Sequence, residues 1–258
     1  MSVVESPARP AEEVIGWALE KYGKELAICT SFQKSGSVII DMASKFNLPF
    51  RVFTLDTGRL PEETYQILET VRQRYGVRVE TVAPDTTELE QMSIEHGPDL
   101  FRRSVANRLL CCQIRKVRPL GRKLRGFRAY MVGLRRGQTA DRASLPQIDD
   151  AASPVKISPL LDWSRQEVDD YIRRHDVPIH PLYEKGYTSI GCAPCTRAIL
   201  PGEDERAGRW WWEEDGDKEC GIHFRPDGTM ERTIDVMLRD LLPAGSEEDI
   251  GLGFDAGL

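Results

Sequence analysis

Four of the six cysteines fall into two pairs whose spacing suits a metal centre. Cys192 and Cys195 form a C-x-x-C pair, which lets two thiolates close on one metal or form a redox disulfide. Cys111 and Cys112 are directly adjacent, and the four thiols together would bind structural zinc or an iron–sulfur cluster. Two neighbouring thiolates reach a single tetrahedral ion only with strain, whereas a four-iron cube offers separate iron corners. The pattern therefore favours the cluster over zinc.

A further cysteine, Cys220, lies outside both pairs and would stay free to react if the other four bind a metal. Its thiolate would be a nucleophile, but at the ordinary pKa of about 8.5 only a few per cent of the thiol is ionised at neutral pH. His223 lies three positions later, and arginines interleaved with acidic residues precede the cysteine. We interpret Cys220 as a reactive thiol that needs nearby cations.

The composition indicates one globular domain with a C-terminal tail. The chain has 258 residues, 40% of them hydrophobic, which is enough to bury a sizeable core. We predict a single domain over residues 1–228 and a tail over residues 229–258. The net charge of −6 argues against a general nucleic-acid binder. Because neither a signal peptide nor a run of about 20 apolar residues is visible, we expect a cytoplasmic protein without a membrane partner.

Short apolar strands alternate with amphipathic helices along the first two thirds of the chain. This alternation predicts an α/β fold in which helices sandwich a parallel sheet. Residues 86–126 are mainly helical and basic, and a capping box at Ser164 opens a later helix. The predicted strands are residues 26–29, 51–55, 77–82, 129–133 and 157–160.

Polar loops should meet at the carboxyl ends of these strands, where parallel sheets bind their ligands. Residues 30–37 form a hydroxyl-rich turn before a helix, which is either an ordinary connection or a cradle of amides for a phosphate. Residues 56–58 form a second polar turn, directly after the second predicted strand. Three arginines after the fourth strand, Arg135, Arg136 and Arg142, suggest an anion clamp.

Several ordered motifs carry a resemblance to a known family. They are TSFQKSGSV at 30–38, LDTG at 55–58, the adjacent cysteines with RKV after them, GLRRGQTADR at 133–142, GCAPCTR at 191–197, ERAGRWWWE at 205–213 and KECGIH at 218–223. On these motifs the chain resembles the assimilatory adenylylsulfate (APS) reductases, relatives of the phosphoadenylylsulfate (PAPS) reductases in the PP-loop nucleotide-binding superfamily. The resemblance covers roughly residues 26–224. It implies an adenine nucleotide α-hydrolase-like fold with a flexible C-terminal segment, at about residues 200–228.

The resemblance also implies a cofactor and a set of site residues. The implied ligands of a [4Fe–4S] cluster are Cys111, Cys112, Cys192 and Cys195. The implied catalytic residues are the nucleophile Cys220, His223 and Lys116, which lies one helical turn beyond Cys112. The implied substrate contacts are Ser31, Phe32, Ser35, Gly36, Ser37, Leu55, Asp56, Thr57, Gly58, Gly133, Leu134, Arg142, Arg206 and Arg209.

The implied reaction is a thiol-dependent reduction. Cys220 attacks the sulfur of APS, AMP leaves, and sulfite is released when a second thiol attacks the resulting S-sulfocysteine. No C-x-x-C pair lies beyond Cys220, so thioredoxin or glutaredoxin is the expected partner, and a homo-oligomer is compatible with the sequence. A PAPS or dual-specificity reductase is the alternative. A more distant alternative is a PP-loop ATP pyrophosphatase with structural zinc.

Overall fold

The structure, a computed structural model, describes residues 9–138 and 142–213. The predicted nucleophile Cys220, the nearby His223 and the predicted domain boundary at residue 228 lie outside the described residues. The cysteine pairs, the strand-end loops and most of the basic residues that the sequence singles out lie within them. In the described ranges, no helix is both long enough and apolar enough to cross a membrane.

In the described chain a six-stranded sheet forms the centre of the fold. The strands are β1 (Leu26–Cys29), β2 (Arg51–Leu55), β3 (Val79–Val82), β4 (Ala129–Val132), β5 (Ile148–Asp149) and β6 (Val155–Ile157). Their spatial order is β3-β2-β1-β4-β6-β5, and β5 runs antiparallel to β6 at one edge. All other neighbours are parallel, which confirms the predicted parallel sheet.

The prediction of a strand at residues 157–160 is wrong in its bounds. The strand is β6, which ends at Ile157, and Leu160 lies in a turn. Pro159 has no amide hydrogen to donate to a neighbouring strand, so the ladder cannot continue through it. Strand β5 was not predicted, because a strand of two residues is too short to show alternation.

Helices cover both faces of the sheet, as predicted. They are α1 (Ala11–Tyr22), α2 (Lys34–Ser44), α3 (Glu62–Tyr75), α4 (Thr86–His96), α5 (Val105–Cys112), α6 (Arg118–Leu124) and α7 (Arg165–His175). Helices α1, α2, α3 and α7 share one core with Ile28, Val52 and Met131 of the strands. On the opposite face, α6 buries Leu120 and Leu124. Successive strand residues point to opposite faces, so the four strands β1 to β4 contribute to both cores.

The basic region between β3 and β4 is helical but not continuous. Helix α5 begins after Ser104, whose hydroxyl accepts a hydrogen bond from the amide of Asn107 at 3.1 Å. It ends at Cys112 and passes directly into a π turn, Gln113–Val117, which leads into α6. Single π turns inside helices are frequently found at functional sites. Here the π turn comes directly after the adjacent cysteines and contains Lys116.

A buried carboxylate joins three helices on the α2 side of the sheet. Asp41 of α2 accepts hydrogen bonds from Tyr75 of α3 at 3.1 Å and from Tyr171 of α7 at 2.8 Å, and its carboxylate lies 2.8 Å from the ammonium group of Lys45. Burial alone would raise the pKa of Asp41, but these three partners outweigh burial and lower it. The ionised carboxylate therefore stabilises the packing of α2, α3 and α7.

We predict that Asp41→Asn lowers stability in a pH-dependent way. Because the pKa of Asp41 is lowered in the folded chain, its contribution is present above the ordinary Asp value of about 4 and is lost as the pH falls below it. The variant should lose about 1–3 kcal/mol of unfolding free energy at pH 7, where a hydrogen-bonded charge is removed. Urea titrations monitored by circular dichroism should show this difference shrinking towards pH 3. Asp170→Asn, a half-exposed position on α7, is the matched control. A difference that stays constant from pH 7 to pH 3 would contradict the assignment.

Candidate functional site

The loop between β1 and α2 is held in one shape by its own residues. Phe32 is fully buried and has a positive φ of 55°, which is uncommon for a residue with a side chain. Its amide donates a hydrogen bond to the hydroxyl of Thr30 at 2.9 Å. A Cβ atom on Gly36 would lie 2.3 Å from that same hydroxyl oxygen. The loop therefore requires glycine at this position.

The end of β4 packs directly against this loop. A Cβ atom on Gly133 would lie 2.9 Å from the amide nitrogen of Gly36 and 2.9 Å from the Cβ atom of Ser35. The main chain after β4 therefore contacts the main chain of the first turn of α2 directly. Ser35 and Gly36, in this first turn, line a cavity.

A cavity of about 250 Å³, with several basic side chains in its lining, lies at the carboxyl ends of the parallel strands. This position is where parallel sheets usually bind ligands. Most of the predicted substrate contacts, together with Lys116, line it. Those residues are Ser31, Ser35, Gly36, Leu55, Thr57, Lys116, Gly133, Leu134, Arg142, Arg206 and Arg209.

Four predicted contacts lie behind the cavity wall instead of lining it. Phe32 and Ser37 are fully buried, and the hydroxyl of Ser37 has no hydrogen-bond partner within the described chain. Asp56 accepts hydrogen bonds from the amide of Gly58 at 2.8 Å and from the hydroxyl of Tyr65 at 3.0 Å. These contacts fix the turn after β2, so Asp56 and Gly58 shape the cavity from outside it.

The predicted three-arginine clamp is only partly assembled at the cavity. Arg135 and Arg142 line it, but Arg136 does not. The guanidinium of Arg136 pairs with Asp162 at 2.5 Å and donates to the carbonyl oxygen of Ala143 at 2.9 Å. Because these groups occupy it, Arg136 stabilises the loop itself, and its inclusion in the anion clamp is wrong.

The structure brings the two cysteine pairs together around a second, smaller cavity. Cys111, Cys112, Cys192 and Cys195 are each between 7% and 8% exposed and belong to one buried cluster. The amide of Ala193 donates to the carbonyl oxygen of Arg59 at 2.8 Å, which fixes the C-x-x-C turn against the loop after β2. Lys116 and Arg209 line this cavity as well as the larger one.

The cations Lys116 and Arg209 on the shared wall affect the pKa values of the thiols to different extents. Burial alone would raise the pKa of the Cys192 thiol, but Lys116, a hydrogen bond with Thr57 and Arg209 outweigh burial and lower the pKa. Burial, with the neighbouring Cys192, raises the pKa of Cys195 to about 12. Burial likewise raises the pKa of Cys111. Of Cys111, Cys192 and Cys195, Cys192 is therefore the thiol that ionises most readily.

Thr57 connects the two cavities. Its hydroxyl oxygen lies 3.2 Å from the Cys192 sulfur, and its carbonyl oxygen accepts a hydrogen bond from Arg115 at 2.6 Å. The same residue lines the larger cavity. The turn after β2 therefore contacts the C-x-x-C pair, the π turn and the ligand space at once.

Three buried donors at the thiol cavity have no hydrogen-bond partner within the described chain. They are the indole nitrogen of Trp210 and the Nε atoms of Arg115 and Arg209. The Trp210 ring is 1% exposed and packs in the same cluster as the four thiols. Among residues 9–138 and 142–213, no group of three or more Cys, His, Asp or Glu side chains is arranged around a single metal ion.

A charged group that was not predicted also lines the larger cavity. Lys34 pairs with Asp169 of α7 at 2.6 Å, and the amide of Lys34 donates to the hydroxyl of Tyr183 at 3.3 Å. All three residues line the cavity. Lys34 is visible in the loop sequence, but nothing in the sequence indicates that Asp169 or Tyr183 would meet it.

Comparison with known proteins relates this chain to one family. The model of the phosphoadenosine phosphosulfate reductase domain matches residues 25–198. The chain is 48% identical to adenosine 5'-phosphosulfate reductase of Allochromatium vinosum over 202 residues, which cover 78% of this chain and 79% of the relative. It is 40% identical to the enzyme of that name from Agrobacterium fabrum, over 78% of each chain. The crystal structure of phosphoadenylyl-sulfate (PAPS) reductase from Candida auris, a phosphate complex, has a TM-score of 0.62, is 30% identical, and matches over 74% of this chain and 91% of that one.

We predict that Gly133→Ala weakens ligand binding without unfolding the chain. The added Cβ atom would press on the backbone of Ser35 and Gly36, so the first turn of α2 would have to move out of its place in the cavity wall. AMP affinity measured by calorimetry should fall by at least about tenfold, the size expected when about 1.4 kcal/mol of binding energy is lost. Gly137→Ala is the matched control, because a Cβ atom there would meet nothing within 4 Å. Unchanged AMP affinity in Gly133→Ala would contradict the role of this contact.

Proposed function

Because the chain belongs to the phosphoadenosine phosphosulfate reductase family, we propose that it reduces adenosine 5'-phosphosulfate (APS) to sulfite and AMP in assimilatory sulfate reduction. The observation that carries this proposal is the junction of two cavities at Lys116 and Arg209. One cavity, of about 250 Å³, is lined by the strand-end loops and basic side chains, and the other is lined by four thiols. A sulfonate bound at that junction would lie among cations.

The first turn of α2 is the proposed site of the 5'-phosphate. Helix N-termini present free amides and the positive end of the helix dipole, which together favour a bound anion. The amide of Lys34 is already bonded to Tyr183, so we assign the phosphate to the next residues, Ser35 and Gly36. Leu55, Thr57 and the Gly133–Leu134 pair would then hold the adenosine against the strand ends.

The sulfonate of the substrate is the group that the basic residues would hold. We assign this role to Lys116, Arg142, Arg206 and Arg209, which all line the larger cavity. Oxygen atoms of a sulfonate repel an incoming thiolate, and fixed cations offset that repulsion. Removing one such donor from a developing oxyanion typically costs about 3–4 kcal/mol of transition-state stabilisation.

Cys220 is the proposed nucleophile. Its thiolate forms a bond to the substrate sulfur, the bond from that sulfur to the bridging oxygen breaks, and AMP leaves with the electron pair. A second thiol then attacks the sulfur atom of Cys220, forming a disulfide and releasing sulfite. A dithiol protein of the thioredoxin or glutaredoxin type would supply that thiol and the two electrons. We place His223 beside the nucleophile, three positions later in the chain.

The four buried thiols are the proposed ligands of a [4Fe–4S] cluster. Such clusters are held by four thiolates, and four thiols from two segments line this cavity. The unpartnered indole nitrogen of Trp210 fits the group, because cluster and cysteine sulfurs accept hydrogen bonds. When bound, the cluster supplies negative charge beside Lys116 and Arg209, which would hold these cations at the wall between the cavities.

A PAPS reductase is the second candidate function. It is favoured by the similarity to the Candida auris structure and by Lys34, an additional cation at the edge of the cavity. The chemistry on sulfur would be the same, and only the ribose 3' group would differ. Steady-state values of kcat/KM for APS and PAPS, measured with the same reductant, distinguish the two candidates.

We predict that protein purified without oxygen is brown and contains about four irons and four acid-labile sulfides per chain. Cys192→Ser and Cys111→Ala should each lose most of this iron, because each removes one of four ligands. Cys29→Ser is the matched control, since Cys29 lines the larger cavity and not the thiol cavity. Colourless wild-type protein holding one zinc ion would overturn the cluster and favour the ATP pyrophosphatase alternative.

We also predict a covalent adduct on Cys220. Mixing the enzyme with APS and no reductant should add one SO₃ group to the peptide that contains Cys220 and release one AMP. Cys29 is the other cysteine outside the thiol cavity, but burial raises its pKa to about 12, so it stays protonated. Peptide mass spectrometry measures the adduct, which Cys220→Ser should lose and Cys29→Ser should keep. An adduct on Cys29 would show that the nucleophile is misassigned.

A further inference from the structure

A buried ion pair fixes the last described residues to α5. The Nε atom of Arg108 lies 2.8 Å from a carboxylate oxygen of Glu213, and the two side chains are 1% and 5% exposed. The Arg108 guanidinium also lies 4.3 Å from the centre of the Trp210 ring, with Arg209 4.6 Å from the same ring. The amide of Glu213 donates to the carbonyl oxygen of Trp210 at 2.9 Å. Residues 209–213 therefore form one turn, and the indole ring of Trp210 within it contacts the guanidinium groups of Arg108 and Arg209.

The same turn is tied to the C-x-x-C segment from its other side. The amide of Trp210 donates to the carbonyl oxygen of Cys195 at 3.2 Å, and the amide of Arg197 donates to the carbonyl oxygen of Gly208 at 3.0 Å. Thr196 and Arg209 form an isolated antiparallel bridge between these hydrogen bonds. The chain thus crosses the thiol cavity with α5 on one side and the C-x-x-C segment on the other.

A buried ion pair of this kind contributes little net stability to a fold. Taking two charges out of water costs several kcal/mol per ion, and an apolar pair of similar volume is often as stable or more so. An ion pair with a directed hydrogen bond does fix the position of one chain segment relative to another, because the two side chains must meet at one place. The burial of Arg108 and Glu213 therefore points to placement of the chain and not only to stability.

That placement matters because the proposed nucleophile lies a short distance further along the chain. Cys220 is seven positions beyond Glu213, and seven residues span at most about 24 Å even when fully extended. Arg209, four positions before Glu213, lines the wall shared by both cavities. The ion pair thus fixes the chain at a point seven positions before Cys220 and four positions after Arg209.

We propose that Arg108 and Glu213 are positioning residues that set where the segment carrying Cys220 begins, and so control the attack of Cys220 on bound substrate. This rests on the proposed function, in which Cys220 is the nucleophile. Loss of the anchor frees residue 213 from α5 while keeping the four thiols and every residue assigned to bind substrate. Displacements of about 1 Å in a reacting pair can slow attack as much as a hundredfold.

The test separates attack from binding. Glu213→Gln removes the charge at nearly constant volume, and Arg108→Met/Glu213→Leu replaces the pair with apolar side chains, so one variant stays informative if the other misfolds. Both should form the Cys220 adduct at least about tenfold more slowly than wild type at saturating APS, as expected for lost orientation. The dissociation constant of AMP should be unchanged.

Two controls distinguish positioning from general damage. Glu203→Gln breaks the Arg197–Glu203 ion pair of the same segment, whose side chains are about 30% exposed, and should leave the adduct rate unchanged. Alkylation of Cys220 by iodoacetamide needs no substrate alignment, so its rate should not fall in either anchor variant. Wild-type adduct rates in both anchor variants, or a loss of AMP affinity that accounts for the slower rate, would overturn the proposal. An absence of the adduct in the wild-type enzyme would instead overturn the proposed function.

Discussion

Charge compensation on one wall is the interaction on which the rest of the structure depends. The proposed thiolate-bound cluster and the proposed anionic substrate would concentrate negative charge on the two sides of Lys116 and Arg209. In a buried environment with low effective dielectric, uncompensated charges of one sign cost several kcal/mol each. The two cations reduce that cost for both cavities at once. They also explain why the pKa of Cys192 is lowered although the thiol is buried.

The fold forms this wall by bringing strand ends and turns together at the carboxyl edge of the parallel sheet. β1, β2 and β4 end side by side, and their loops supply the phosphate turn, the Thr57 connection and the Gly133 contact. None of these loops could supply both cavities alone. Thr57 reaches the thiols only because the turn after β2 packs against the C-x-x-C segment and the π turn. The site is therefore a property of the sheet edge and not of any single motif.

Local patterns in the sequence predicted the features that depend on local forces. The bounds of β1 and β2 correspond to short apolar runs between polar turns, and the capping box of Ser164 and Glu167 forms as its spacing predicts. The thiol pairs were recognisable because few other roles suit adjacent cysteines with a distant C-x-x-C. In contrast, Arg135 and Arg136 are indistinguishable in sequence. Only the tertiary contact with Asp162 separates a cavity residue from one that stabilises the loop. Lys34 and Asp169 are likewise joined by folding across 135 positions, which no local pattern records.

The π turn between α5 and α6 has a consequence for the phase of the helical run. In an uninterrupted α-helix each residue advances the direction of its side chain by about 100°. One extra residue in the turn shifts every later side chain by about that angle relative to the earlier ones. Before the turn the helical run faces the thiol cluster with Leu110 and Cys111, and after it the run faces the sheet with Leu120 and Leu124. The π turn thus lets one helical run serve two cores. A single-residue deletion within Gln113–Val117 would remove this shift, so the side chains on the two sides of the turn could no longer pack into both cores at once.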